Sequence, residues 1–110
     1  YSLDELMAIA ELMVRQQMYN FDDASRQAFY EYLTLRMQQP HFANARSVRN
    51  ALDRSKLRQA NRLIQQGGLV PKTELARIDE ADIRQSRVFR GAPDYIVGVN
   101  GNTSTTLSSS

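Results

Sequence analysis

The sequence predicts an all-α protein, a bundle of four helices over residues 1–90 followed by a disordered tail over residues 91–110. Three observations carry that prediction. Apolar residues recur at three- and four-residue spacing through most of the first 66 positions. Cap and stop signals divide that stretch at "YNFDD", "QQPHFANA" and "GGLVPK". The final dozen residues are rich in Gly, Ser, Thr and Asn and lack the apolar surface that offsets ordering entropy. A chain of 110 residues with 42% hydrophobic and 24% charged residues supports one modest core and no second domain.

The first helix is predicted over residues 3–18. Ser2 with Glu5 three positions later has the form of a capping box, and Leu3, Leu6, Met7, Ala10, Met13 and Val14 form one apolar stripe. Asp22 or Asp23 starts a second helix over residues 23–38, with Ala28, Phe29, Tyr32, Leu33 and Met37 facing inward, and Pro40 ends it. The third, over residues 45–66, is the longest: Asn44 is its candidate N-cap and Gly67-Gly68 its stop. On it Ala45, Val48, Leu52, Ser55, Gln59 and Leu63 share a narrow arc that must face the core. Beyond "GGLVPK", Thr73 or Asp79 can cap one or two further helical turns carrying Leu75, Ile78 and Ile83. Within the tail, "YIVGV" has the composition of a short strand or docking segment, against the simpler reading of a frayed terminus. The expected core is Leu6, Met13, Phe29, Leu33, Val48, Leu52 and Leu63.

A start at Tyr1, immediately ahead of a capped helix, reads as a cut within a longer chain. The N-terminus is acidic where a secretory leader would be basic, and no apolar run approaches the roughly 20 residues of a membrane span. With no cysteine, disulfides and thiolate metal sites are excluded. Phosphate-loop, dinucleotide-binding and nucleophile-elbow motifs are missing, and His41 is the sole histidine, so no catalytic residue and no metal ligand is assigned. Asp22-Asp23 and Asp79-Glu80-Asp82 stand where helix starts favour acids, which points to capping rather than metal ligation. Alone, the chain is predicted not to be an enzyme.

Charge is uneven. Residues 1–35 hold six acids and two bases, while residues 43–72 hold seven bases and only Asp53. The halves are expected to attract each other or different partners. The basic residues of the third helix form no single stripe and have no interleaved aromatics, so nucleic-acid binding is not expected. Arg54, Arg58 and Arg62 share an edge that reads as a solvated face. Arg46 and Arg49 differ, because they occupy the first two turns, where free N–H groups and the helix dipole already favour an anion such as phosphate. Arg49 has a competing i,i+4 partner in Asp53.

The segment "QPHFANARSVRNALDRSKLRQANRL" resembles the C-terminal helical lid of the CbbX family of AAA+ ATPases, the red-type Rubisco activases, and the likeness runs from "YSLDELMAIAELM" through "DEADIRQSRVF". Related AAA+ proteins carry a "GNAR-x-VRN" signature at this helix start; here Ala43 stands where glycine is usual. The resemblance implies an AAA+ lid-type bundle in which Arg46 is the sensor-2 arginine reaching the phosphates of ATP. Asn44 would cap the helix that presents it, and Arg49 would contact nucleotide or a neighbouring subunit. It further implies ATP with magnesium in the parent protein, with none expected bound to this piece alone. The implied partners are the α/β subdomains of its own and adjacent subunits of a hexamer and the large subunit of red-type Rubisco, with ribulose bisphosphate as an allosteric ligand. The implied compartment is a red-lineage plastid stroma or a bacterial cytoplasm. The alternative from another class is a free-standing helical interaction domain whose basic helix binds an acidic partner.

Overall fold

The computed structural model describes residues 1–92; the "YIVGV" segment and nearly all of the expected tail lie outside them. The elements are α1 (Leu3–Gln16), β1 (Asn20–Phe21), α2 (Asp23–Arg36), α3 (Ala45–Gln66), α4 (Lys72–Ala76), β2 (Arg77–Ile78), α5 (Glu80–Arg84) and a 3-10 turn (Arg87–Arg90). The all-α expectation holds, with the last helical region divided among α4, α5 and the 3-10 turn. α1 packs on α2 and α3, and α2 is covered on another side by α5 and the 3-10 turn.

Local chemistry sets the helix starts. At α1, Ser2 Oγ accepts from Glu5 N at 3.1 Å and the Glu5 carboxylate accepts from Ser2 N at 2.8 Å. That backbone bond from Ser2 holds the Glu5 carboxyl below its usual range. Asp22, rather than Asp23, caps α2: its carboxylate accepts from Ser25 N at 2.8 Å while Ser25 Oγ accepts from Asp22 N at 3.0 Å. Hydrogen bonds from the Ser25 hydroxyl and then its N–H lower the Asp22 pKa. α5 begins the same way, with Asp79 at the N-cap and Asp82 Oδ2 accepting from Asp79 N at 2.9 Å. Both acidic runs thus serve helix starts.

α1 ends through a left-handed residue. Met18 has φ 66°, which lets Tyr19 N donate to Val14 O at 2.9 Å and Met18 N to Arg15 O at 3.0 Å, the pattern that glycine usually completes. The Met18 side chain is 81% exposed and contributes little packing. Met18→Gly is therefore expected to raise stability by about 0.5–1 kcal/mol, the relieved left-handed strain outweighing the added chain entropy. Urea titration of the two proteins checks the sign.

The core joins Leu6, Ala10 and Val14 of α1 to Phe29, Tyr32 and Leu33 of α2 and to Val48 and Leu52 of α3. Leu63 is buried as expected, whereas Met13 is half-buried and packs against the core edge. Phe21, Phe29, Tyr32 and Phe89 form a chain of ring contacts with centroids 5.3–6.4 Å apart, a geometry that adds to simple area burial. Ile78, Ile83 and Val88 close this core from the C-terminal side. β1 and β2 lie parallel, with Asn20 opposite Arg77 and Phe21 opposite Ile78.

Buried polar groups fasten residues 74–82 to α3. Gln59, only 3% exposed, donates its amide to the carbonyls of Glu74, Leu75 and Arg77 at 2.8–3.2 Å, satisfying the end of α4. Gln59→Leu keeps the volume but strands three acceptors, and a loss of about 2 kcal/mol is expected in denaturant melts. Asp82 is 1% exposed and takes a bidentate grip from Arg62, Nε to Oδ1 at 3.0 Å and Nη2 to Oδ2 at 2.9 Å. This bond to the Asp82 carboxylate raises the Arg62 pKa. Arg58 donates to the Asp82 carbonyl.

Those contacts correct one sequence expectation and decide between the alternatives of another. The edge shared by Arg58 and Arg62 is not a solvated face: α5 covers it, because a buried carboxylate one turn into α5 demands a charged donor. For the uneven charge, different partners is the outcome: Arg62 meets Asp79 and Asp82 and Lys56 meets Asp53, while Glu11 and Asp23 pair with Arg26, Glu31 with Arg84 and Asp22 with Arg77. The hydrogen bond from Arg84, with Gln27 adding to it, lowers the Glu31 pKa.

Candidate functional site

The site begins at the α2–α3 connection. Pro40 stops α2 two turns after the last core residue, and the chain reverses through His41 (φ 66°) and Asn44 (φ 48°) before α3 starts. Arg36, 4% exposed, holds this reversal from within: Nη1 donates to Pro40 O at 3.1 Å and Nη2 to His41 O at 3.2 Å, and the guanidinium lies 5.6 Å from the Phe42 ring centroid.

Asn44 occupies the N-cap position but makes no side-chain cap bond. Its φ of 48° turns the side chain away from the free N–H groups, so the expected cap is absent. The backbone substitutes for it, with Arg46 N donating to Ala43 O at 3.1 Å, and Ser47 Oγ accepts from Ala43 N at 2.8 Å. Asn44 therefore shapes the approach to α3 through its backbone, which turns there at φ 48° and ψ −120°.

Arg46 is exposed on the first turn of α3, and its guanidinium makes no hydrogen bond or ion pair among the described residues. It lines a cleft of about 140 Å³ with Arg36, His41, Ser47, Asn50 and Arg54. Every side chain of that set that can form a hydrogen bond can donate one, and no carboxylate lines the cleft among the described residues. The donor set therefore suits an anion with several oxygens, such as a phosphate, and the lining has no carboxylate to hold a magnesium ion. A further positive contribution comes from the dipole of α3, which ends at this cleft.

Of the three sequence candidates, the structure brings only Arg46 into the cleft. Arg49 is exposed on a neighbouring face, and Asp53, its expected partner, pairs instead with Lys56 at 3.4 Å. Arg54, assigned to the solvated edge, is half-buried and lines the cleft together with Arg46. The spacing Arg46, Asn50, Arg54 was the available signal, since positions four apart stack along one side of a helix. Arg36 and His41 come from the preceding element and had no local signal.

A family model for the AAA lid domain matches residues 2–89. The chain is 55% identical over 96 residues to a Cupriavidus necator protein named "Protein CbxX, chromosomal", an alignment covering 86% of this chain and 30% of that protein. It is 50% identical over 95 residues to "Protein CbbX" of Cereibacter sphaeroides, covering 86% and 31%. It is 46% identical over 91 residues to a Cyanidioschyzon merolae protein named "Ribulose bisphosphate carboxylase/oxygenase activase, chloroplastic", covering 82% and 31%. The chain thus matches less than a third of the length of these curated relatives. A helical fold matched by the family model over nearly all of the described residues places this chain in the AAA lid domain family.

Proposed function

We propose that this chain is the lid of a ring-forming AAA+ ATPase that remodels inhibited red-type Rubisco, with Arg46 as the residue that meets the phosphates of bound ATP. The single observation that carries the reading is the position of Arg46: exposed, at the N-terminus of the longest helix, on a cleft lined by hydrogen-bond donors. The name of the Cyanidioschyzon merolae relative supplies the Rubisco part of the proposal.

When bound, ATP supplies the phosphoanhydride whose cleavage drives the cycle. The task of the lid residues is to bind and orient. Arg46 would donate to phosphate oxygens, Arg54 adds charge about two helical turns behind, and Arg36 fixes the loop that sets the angle of α3. Magnesium would be held outside this chain. Closure over the nucleotide then converts phosphate state into rigid-body motion of the lid against its own and neighbouring α/β subdomains in a hexamer. Ribulose bisphosphate is the proposed allosteric ligand of the whole protein, and the compartment a plastid stroma or bacterial cytoplasm. No helix among the described residues is long and apolar enough to cross a membrane.

The test is ATP turnover and ATP affinity of the full-length subunit carrying Arg46→Ala. A large fall in turnover by a ring that still assembles supports the proposal. Wild-type turnover with wild-type affinity overturns it.

A further inference from the structure

The start of α3 is closed differently from those of α1 and α2. At α1 and α2 the side chain of the third helical residue accepts from the N–H of the cap residue, and the cap side chain accepts from the third residue's N–H in return. Ser47 holds the third position of α3. Its Oγ accepts from the N–H of Ala43, one residue ahead of the cap, at 2.8 Å, and the Asn44 side chain returns nothing. The N–H of Ser47 is therefore left without an acceptor among the described residues.

The hydroxyl proton of Ser47 is unspent as well. Thr34 and Ser55 donate theirs to the carbonyl four residues earlier, the usual acceptor for a helical hydroxyl. Ser47 makes no such bond among the described residues, and one of its lone pairs is taken by the Ala43 N–H, so its O–H is left to donate. The residue is 8% exposed and lines the cleft of Arg46 and Arg54, where water has little access to it. Two donors withheld from protein and largely from water are satisfied only when an acceptor enters the cleft.

We infer that Ser47 is a second phosphate-binding residue of the cleft, whose hydroxyl and backbone N–H donate to oxygens of the same anion that Arg46 meets. A phosphate oxyanion has enough oxygens to use an O–H, an N–H and a guanidinium together, and the dipole of α3 favours its charge. The hydroxyl is polarised from behind, because the Ala43 N–H donates to Oγ while the O–H donates to the anion. Bound phosphate thereby tightens the α2–α3 connection. Arg46 reads charge at the end of a long side chain, whereas Ser47, one bond from the helix backbone, fixes where the start of α3 sits against the phosphate. The inference rests on the phosphate reading of Arg46 and adds a positioning contact to it.

The test is ATP affinity of the full-length subunit, with ring assembly as the check that each variant folds. Ser47→Ala is expected to weaken ATP binding about tenfold, and Ser47→Thr, which keeps the hydroxyl, to stay within about threefold of wild type. Ser47→Asp separates phosphate binding from loop holding. Its carboxylate still accepts from Ala43 N and suits a helix start, so assembly and melting temperature should be kept, yet it donates nothing and should weaken ATP binding more than Ser47→Ala does. In an Arg46→Ala background, Ser47→Ala should cost less than about threefold, because the two residues share one anion. Wild-type affinity in Ser47→Ala overturns the inference. So does a Ser47→Asp protein that regains the affinity lost in Ser47→Ala, since loop holding would then be the whole role of the residue. An undiminished loss in the Arg46→Ala background overturns it too, because the residues would not meet the same anion. Failure of the phosphate reading is seen separately, as Arg46→Ala with unchanged ATP affinity and turnover.

Discussion

Arg62→Ala is expected to destabilise the domain by about 3–5 kcal/mol, a large part of the 5–15 kcal/mol that holds a typical domain together. The carboxylate it abandons, Asp82, is 1% exposed and cannot rotate into water. Its two oxygens would keep only the Asp79 N–H, one donor in place of three. Removing the other partner should cost less. After Asp82→Ala the Arg62 side chain, 24% exposed, can swing outward and rehydrate, although α5 loses the carboxylate that caps Asp79 N. An ordering with Arg62→Ala worse than Asp82→Ala is therefore the signature of a buried anion rather than of a generic ion pair. Arg62→Met/Asp82→Leu, which removes both charges at similar volume, should recover most of the loss. Urea melts of the four proteins check the series, and single variants within 1 kcal/mol of wild type would show that the pair carries little.

Arg46→Ala acts on function, not stability. Its guanidinium is exposed and touches no core residue, so unfolding should shift by less than about 0.5 kcal/mol. An arginine aimed at a transferred phosphoryl group is worth about 10³–10⁵ in rate when it supplies transition-state charge directly. A lid arginine that also positions should lie at or below the lower end of that range, and a fall of about 10²-fold or more in turnover is expected. Arg49→Ala, on a neighbouring face and outside the cleft, is the better control, with turnover expected near wild type. Arg54 cannot serve in that role, since it lines the same cleft as Arg46.

The sequence showed the three long helices to within two residues because each has a stop or start written in local chemistry: Ser2 with Glu5, Asp22, Pro40, and the pair Gly67-Gly68. The same periodicity exposed most of the core. It failed where elements are too short to have a period. Ile78 and Ile83 lie on a two-residue strand and a five-residue helix, and Val88 on a 3-10 turn, so their burial comes from what they pack against. The parallel pairing of Asn20–Phe21 with Arg77–Ile78 has no local trace at all. At the candidate site Arg46 was legible because a helix start is a one-dimensional feature, while Arg36 and His41 reach the cleft only through the fold of the α2–α3 connection. The misassigned edge of Arg58 and Arg62 has the same origin: their partner, Asp82, lies 20 residues beyond Arg62 and was assigned to capping alone. It performs both tasks.

The two-residue strand pair has a kinetic consequence. It joins segments far apart in the chain, and closing so long a loop for so few backbone bonds is unfavourable until the intervening helices are already in place. The α1–α2–α3 core is thus the natural early nucleus, and the segment from β2 to the 3-10 turn is the clasp that shuts last. Once shut, it seals Phe29 and Tyr32 under Ile83 and Phe89. Slow amide exchange would then extend through α1, α2 and α3, while β2 and α5 exchange by a cheaper partial opening in which the clasp lifts and the three long helices stay folded.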